Sequence, residues 1–265
     1  MSTNQKYALI TGATSGIGYE LAKLFARDQY NLVIVARNTE ELEKASNELK
    51  KSGIEVITIS KDLFKVEAPF EIYDEIKSKG IQVDVLVNDA GQGQYGLFSE
   101  TDINRELDII QLNIGATISL TKCFLPEMIA RKAGKILNLS SIAGKTPGPY
   151  QSVYHGTKAF IQSFTEAIRS ENKDNGVTIT ALLPGATETD FFNKADMNDS
   201  KIVQNGGMAT AADVAKDGYE ALMAGDDMVI SGLKNKAMIG MTNITPDHLV
   251  ADMMKSQQEP VDKNK

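Results

Sequence analysis

The sequence predicts a three-layer α/β domain: a doubly wound parallel sheet with helices on both faces. Two observations carry that class. Short runs rich in β-branched residues alternate with longer amphipathic stretches along the chain. Strands that alternate with helices are joined by right-handed crossovers, which make the sheet parallel. The runs are also apolar without alternation, as in LVIVA (32–36) and VDVLVN (83–88), which suits strands covered on both faces.

In chain order the expected strands are YALIT (7–11), NLVIVAR (31–37), EVITIS (55–60), VDVLVND (83–89), GKILNLSS (134–141), VTITALLPG (177–185) and DMVISG (227–232). Between them lie amphipathic segments such as GYELAKLFARDQ (18–29) and TEELEKASNELKKSG (39–53). The second closes on Lys-Lys-Ser-Gly, a helix stop. A single domain is expected, with a core of about 5–235, a Met-rich helical extension over 236–256 and a loose polar tail over 257–265. The extension is expected either to cap a substrate cleft or to join an interface.

Basic residues number 28 and acidic ones 35, so the formal charge is −7. That balance argues against nucleic acid or an anionic membrane as the main partner. The opening residues MSTNQKYALITGATSG show no charged segment followed by an apolar one, so no secretory leader is expected. No stretch approaches the ~18 uninterrupted apolar residues of a membrane span. One cysteine, Cys123, cannot form an internal disulfide, and a reducing, cytoplasmic location is the simplest expectation. Cys123 itself is expected to be a small buried apolar residue. The two histidines, His155 and His248, are far apart in sequence with no ligand partners nearby, so no metal site is expected.

The chemistry begins at TGATSGIG (11–18), which follows the first strand directly and opens a helix. Gly12, Gly16 and Gly18 let the backbone turn tightly and approach a pyrophosphate, with Thr14, Ser15 and Ile17 completing the turn. A helix N-terminus adds free N–H groups and a positive dipole end. The second strand ends in Ala36 and Arg37, without the acid that would bind the ribose 2′-OH of NAD. A carboxylate repels a 2′-phosphate, whereas a guanidinium grips it with two parallel hydrogen bonds. NADP(H) is therefore the preferred cofactor and NAD(H) a possible one; the competing reading of Arg37 is a solvated residue at a helix entry.

YHGTK (154–158) places Tyr154 and Lys158 four apart, on one helical face. A lysine ammonium and a cationic nicotinamide near the phenol would favour its phenolate. Tyr154 would then give and take a proton near neutrality. Taken alone, the spacing is common. His155 points about 100° away around the helix and reads as a surface or packing residue.

These motifs do not stand alone. With NDAG (88–91) and NLSSIAG (138–144), the T-G-x-x-x-G-x-G turn and Tyr-x-x-x-Lys resemble the short-chain dehydrogenase/reductase family over roughly residues 5–235. The resemblance implies a Rossmann fold and hydride transfer between a nicotinamide cofactor and a carbonyl or secondary alcohol. It assigns Asp62 and Leu63 to adenine, with a helix N-cap as the other reading of Asp62. Asn88, Ala90 and Gly91 would pass under the cofactor, Asp89 standing where the family usually has a second Asn. Pro184, Gly185, Thr187 and Thr189 would meet the nicotinamide carboxamide. Ser141, twelve intervening residues before Tyr154, would orient the substrate oxygen, with Ser140 as the competing candidate. Asn113, in QLNIGATISL, would hold a water in a proton relay with Lys158. A homodimer or homotetramer built from helices around 105–130 and 154–172 is also implied.

Three stretches are expected to line the substrate: GQGQYGLFSE (91–100), IAGKTPGPYQSV (142–153) and ETDFFNKADMNDSK (188–201). Phe98, Tyr150, Phe191, Phe192 and Met197 bias them toward a small to medium apolar molecule; the alternative is that several pack the core or a dimer contact. Two other functions stay open. One is a 3-oxoacyl-(acyl-carrier-protein) reductase, for which net charge −7 makes a poor docking surface for an acidic carrier. The other is a non-catalytic NADP-binding sensor, which would be expected to lack Tyr154 or Lys158.

Overall fold

A computed structural model describes residues 6–204, 206–242 and 244–261. Residue 5 of the expected core and 262–265 of the expected tail lie outside the described residues. The chain runs β1 (Tyr7–Thr11), α1 (Gly16–Arg27), β2 (Asn31–Ala36), α2 (Thr39–Leu49), β3 (Val56–Ser60), α3 (Ala68–Ser78) and β4 (Val83–Asn88). It continues through α4 (Ile103–Ile110), a π-helical turn (Gln111–Gly115), α5 (Ala116–Ala130), β5 (Gly134–Leu139), α6 (Ser152–Asn172) and β6 (Val177–Leu183). Then come β7 (Thr187–Glu188), α7 (Phe191–Lys194), α8 (Lys201–Gln204), β8 (Ala209–Thr210), α9 (Ala211–Ala224) and β9 (Met228–Ile230). Two helices close it, α10 (Leu233–Thr242) and α11 (Asp247–Gln258).

Seven strands form one sheet in the order β3-β2-β1-β4-β5-β6-β9, every pairing parallel. Successive side chains leave a strand on opposite faces, so each strand feeds two cores. Ala8, Ile10, Leu32 and Ile34 pack with Leu21 and Phe25 of α1 and Leu222 of α9. Leu9, Val33 and Val35 pack with Ile72 and Ile76 of α3 and Leu120 and Phe124 of α5. Double-sided burial explains the unbroken apolar runs read in the sequence. Cys123 is half-buried at the edge of the second core, not fully enclosed.

Strand order reverses between β1 and β4, which stay paired to their carboxyl ends at Thr11 and Asn88, the place where an open α/β sheet forms its binding crevice. The strands expected to run through Ser140–Ser141 and Pro184–Gly185 stop at Leu139 and Leu183. Pairing persists just beyond them, Ser140 N–H donating to Leu182 O (2.9 Å) and Ile142 N–H to Pro184 O (2.9 Å). The chain peels out of the sheet here, which delivers Ser141 to the crevice.

Candidate active site

A cavity of about 1400 Å³ opens over the carboxyl ends of the strands. Its walls include Gly12, Thr14, Ser15, Gly16, Ile17, Arg37, Asp62, Leu63, Ala90 and Gly91, and then Ser141, Tyr154, Lys158, Pro184, Gly185, Thr187 and Thr189. Of the residues singled out in the sequence, Gly18, Asn88 and Asn113 do not line it. Asn88 faces the interior of the fold: its Nδ2 donates to Asn138 Oδ1 (2.8 Å) and Thr121 Oγ1 (3.2 Å), so it braces β4 against β5 and α5.

The glycine turn is built as its sequence demands. Gly12 and Gly16 have φ of 72° and 59°, conformations that penalise a side chain. Gly18 is a close approach instead, because an added Cβ would strike the Asp89 carboxylate and stand 2.7 Å from the Gly12 carbonyl oxygen. Ser15 precedes α1 in an extended conformation, donates no side-chain cap, and no acid follows in the first turn. No acid of its own first turn neutralises the start of α1, although the Asp89 carboxyl takes the Gly18 N–H, and a helix start of this kind suits an anionic pyrophosphate.

After β2, Arg37 is exposed and lies 5.0 Å over the Phe64 ring, with no carboxylate in ion-pair range among the described residues. Asp62 does not cap a helix, since α3 begins only at Ala68; its Oδ1 accepts from Phe64 N–H (3.2 Å) and shapes the turn under that ring. A dinucleotide carrying a 2′-phosphate fits this donor set.

At the other end, Ser141 Oγ accepts from Ala143 N–H (3.1 Å) and donates to Pro184 O (3.2 Å). Ser140, the competing serine, is occupied by Lys158 O at 2.7 Å. Both serines line the cavity and both hydroxyls meet backbone groups, but it is Ser141 that is also hydrogen-bonded to the Tyr154 phenol. Lys158 Nζ donates to Leu139 O (2.9 Å) and lies 5.7 Å from the Tyr154 ring centre. Burial pushes the Tyr154 phenol up to about 12, with Ser141 pulling the other way. Burial also draws Lys158 down to about 8, opposed by the Asp89 charge. Without a bound cation, desolvation outweighs the neighbouring charges that favour a phenolate. Asn113 is clamped on Gln92, its Nδ2 donating to Gln92 O (2.9 Å) and its Oδ1 accepting Gln92 N–H (3.0 Å). It sits in the π-helical turn, where the widened backbone turns it toward Gly91; an added Cβ there would meet both Asn113 Oδ1 and Lys158 Nζ at 3.3 Å.

Phe191, Phe192 and Met197 line the cavity as expected, but Phe98 and Tyr150 do not. Phe98 is exposed, and Tyr150 stacks on Tyr95 with ring centres 5.6 Å apart. Gln151 lines the cavity from within the expected 142–153 stretch, whereas His155, Met208, Met238, Met254 and Gln258, also in the walls, were not singled out by sequence. His155 is buried, its Nδ1 on Thr146 O (2.9 Å). The Met-rich pattern of the extension was the available signal for Met238 and Met254. The tail is not loose at its start: Glu259 pairs with Lys201, and Val261 N–H donates to Asp199 O (2.8 Å). No group of three or more potential metal ligands occurs among the described residues, and none of their helices is long and apolar enough to cross a membrane.

Comparison with known proteins extends this geometry. The family model for short chain dehydrogenases matches residues 6–200. Dehydrogenase/reductase SDR family member 7B of Mus musculus is 32% identical over 81% of this chain and 69% of its own length. Very-long-chain 3-oxoacyl-CoA reductase of Rattus norvegicus is 34% identical over 68% of this chain, which spans 58% of that relative. A short-chain dehydrogenase from Sphingobium yanoikuyae in complex with NADPH superposes with a TM-score of 0.81 at 26% identity, covering 94% of this chain and 99% of that one. Sheet order, turn and sequence all point one way: the chain belongs to the short-chain dehydrogenase family of Rossmann-fold, NAD(P)-dependent oxidoreductases.

Proposed function

We propose that this oxidoreductase transfers hydride between NADP(H) and the carbonyl or secondary alcohol of a small to medium apolar substrate, with Tyr154 as general acid and base. The observation that carries the reading is the meeting of Tyr154, Lys158 and Ser141 in the lining of the cavity that the glycine turn and the start of α1 also line. The cofactor, when bound, supplies the hydride. The glycine turn, α1 and Arg37 hold its phosphates, and Asp62 and Leu63 shape the adenine end. Ser141 orients the substrate oxygen. Tyr154 protonates that oxygen in reduction and takes the proton back in oxidation. Lys158 places a cation near the phenol, and Asn113 fixes Gln92 and the path to Lys158. A homo-oligomer and a cytoplasmic setting belong to the same proposal.

A 3-oxoacyl thioester is the second reading. It is favoured by the relative of that name and by the Met and Phe lining of the cavity. The test is oxidation of NADPH and NADH across a panel of aldehydes, ketones and 3-oxoacyl thioesters. Tyr154→Phe is expected to lower kcat about 10²–10⁴-fold with NADPH affinity preserved. Full turnover by that variant would remove Tyr154 from the mechanism.

A further inference from the structure

We propose that Gln151 Nε2 and Gln258 Oε1 form a polar anchor for a hydroxyl group on the substrate, so that the preferred substrate is a largely apolar carbonyl compound carrying a hydroxyl. The proposal rests on the reductase reading above and adds the substrate class.

Among the described residues, eight buried side-chain polar atoms lack a hydrogen-bond partner, and only these two belong to residues that line the cavity. Gln151 is 4% exposed and Gln258 2%. Buried amides are normally bonded, so an unpartnered pair in a ligand cavity calls for a ligand. Both residues are tied to His155, Gln151 through its backbone and Gln258 through its side chain. His155 N–H donates to Gln151 O (3.0 Å), and Gln258 Nε2 meets His155 Nε2 at 3.0 Å. His155 Nδ1 faces the Thr146 carbonyl, which only accepts, so Nδ1 carries the proton and Nε2 accepts from Gln258. That fixes the amide: the nitrogen of Gln258 is used and its oxygen is the spare atom.

Gln151 Nε2 also lies beside the reacting group. The point 3.3 Å from it where a Gly93 Cβ would stand is 3.3 Å from Tyr154 Cδ2 and 3.0 Å from Phe191 Cζ. Gln258 is held in place independently, because Tyr95 Oη donates to its carbonyl (2.5 Å) and the next residue pairs with Lys201. One side of the anchor offers a donor and the other an acceptor, and a hydroxyl answers both. Phe191, Phe192, Met197, Met238 and Met254 surround it with adaptable apolar surface.

The test uses three ketones of equal chain length: unsubstituted, bearing a second carbonyl, and bearing a hydroxyl. Each is titrated calorimetrically into NADP⁺-loaded protein, where no reduction occurs, and then assayed with NADPH. The hydroxy ketone is expected to bind about tenfold more tightly than the plain ketone, with the diketone between them. Gln151→Leu should erase the advantage without lowering Tm, because it replaces an unpartnered amide with an apolar side chain of similar size. Gln151→Met, unbranched, is the companion variant, and Gln258→Met should bring the hydroxy ketone down to the diketone. Equal binding of the three ketones, binding of none, or a hydroxyl advantage surviving in both Gln151 variants would overturn the anchor. A hydroxyl advantage in binding with no reduction of any ketone would keep the anchor and sink the reductase reading. Equal binding of all three with turnover of each would do the reverse.

Discussion

Arg37 stacks on Phe64, while Glu41, an acid in the same cavity wall, is engaged by Asn38 Nδ2 (3.3 Å) and Thr14 Oγ1 (3.2 Å). A guanidinium oriented by an aromatic face and left without a carboxylate is a ready partner for a phosphate. Arg37→Asp is expected to weaken NADPH binding about 10–100-fold while sparing or improving NADH, read by fluorescence titration. An unchanged ratio of the two affinities would take Arg37 out of the site. Asp89 is the residue where this chain departs from its family, and its carboxyl is pushed up from 3.8 to about 7 by burial, against the pull of Lys158 and the Gly18 N–H. Between about 4 and about 7 the folded chain therefore holds a proton that the unfolded chain has lost. Stability from this group falls as pH rises through that window. Asn has no proton to lose, so the stability of Asp89→Asn relative to the wild type should climb from pH 4 to 7 and then level off. Urea unfolding at each pH measures it, and a flat difference would mean that Asp89 titrates as an ordinary carboxylate.

At the scale of elements, the β1–α1 turn and the C-terminal arm do different work. The turn must bring α1 against β4 closely enough for a dinucleotide to lie across both. Gly18→Ala places a methyl group against the Asp89 carboxylate and the Gly12 carbonyl, neither of which can retreat without moving the strand ends. Overpacking of this kind costs about 1–3 kcal/mol. The variant is expected to lose that stability in urea unfolding together with most of its NADPH affinity, whereas normal cofactor binding would show that the turn tolerates a side chain. The arm, α10 and α11, closes the opposite side. Its register is set by contacts distant in sequence: Gly185 packs on Asn235, Tyr95 on Gln258 and Lys201 on Glu259. Met238, Met254 and Gln258 of these helices stand in the cavity wall.

On the scale of the whole molecule, the exposed apolar side chains are not scattered evenly. Ile103 and Leu107 of α4 are 56% and 54% exposed, and Phe160 of the adjoining α6 is 42% exposed with its ring stacked on Phe164. These helices coincide with the segments expected to build an oligomer, and a second copy would cover them. Sedimentation is expected to give a dimer or tetramer, shifted toward monomer by Leu107→Asp with Phe160→Asp. A wild-type monomer at micromolar concentration would refute the assignment.

The sequence by itself determined the fold class, the strand positions to within a few residues and the shared helical face of Tyr154 and Lys158. These depend on local rules: two-sided burial writes unbroken apolar runs, a left-handed turn demands glycine, and a four-residue spacing shares a helical face. Only the tertiary structure decided the rest. It separated Ser141 from Ser140 by what each oxygen meets across the chain, and moved Asn88 from the cofactor into a brace between strands. It excluded Phe98 and Tyr150 from the cavity and brought His155 to Gln258, 103 positions away, in one hydrogen-bonded corner beside Gln151. Hydrogen bonds and burial at that distance depend on where the chain returns to itself. No periodicity or spacing along the sequence encodes that.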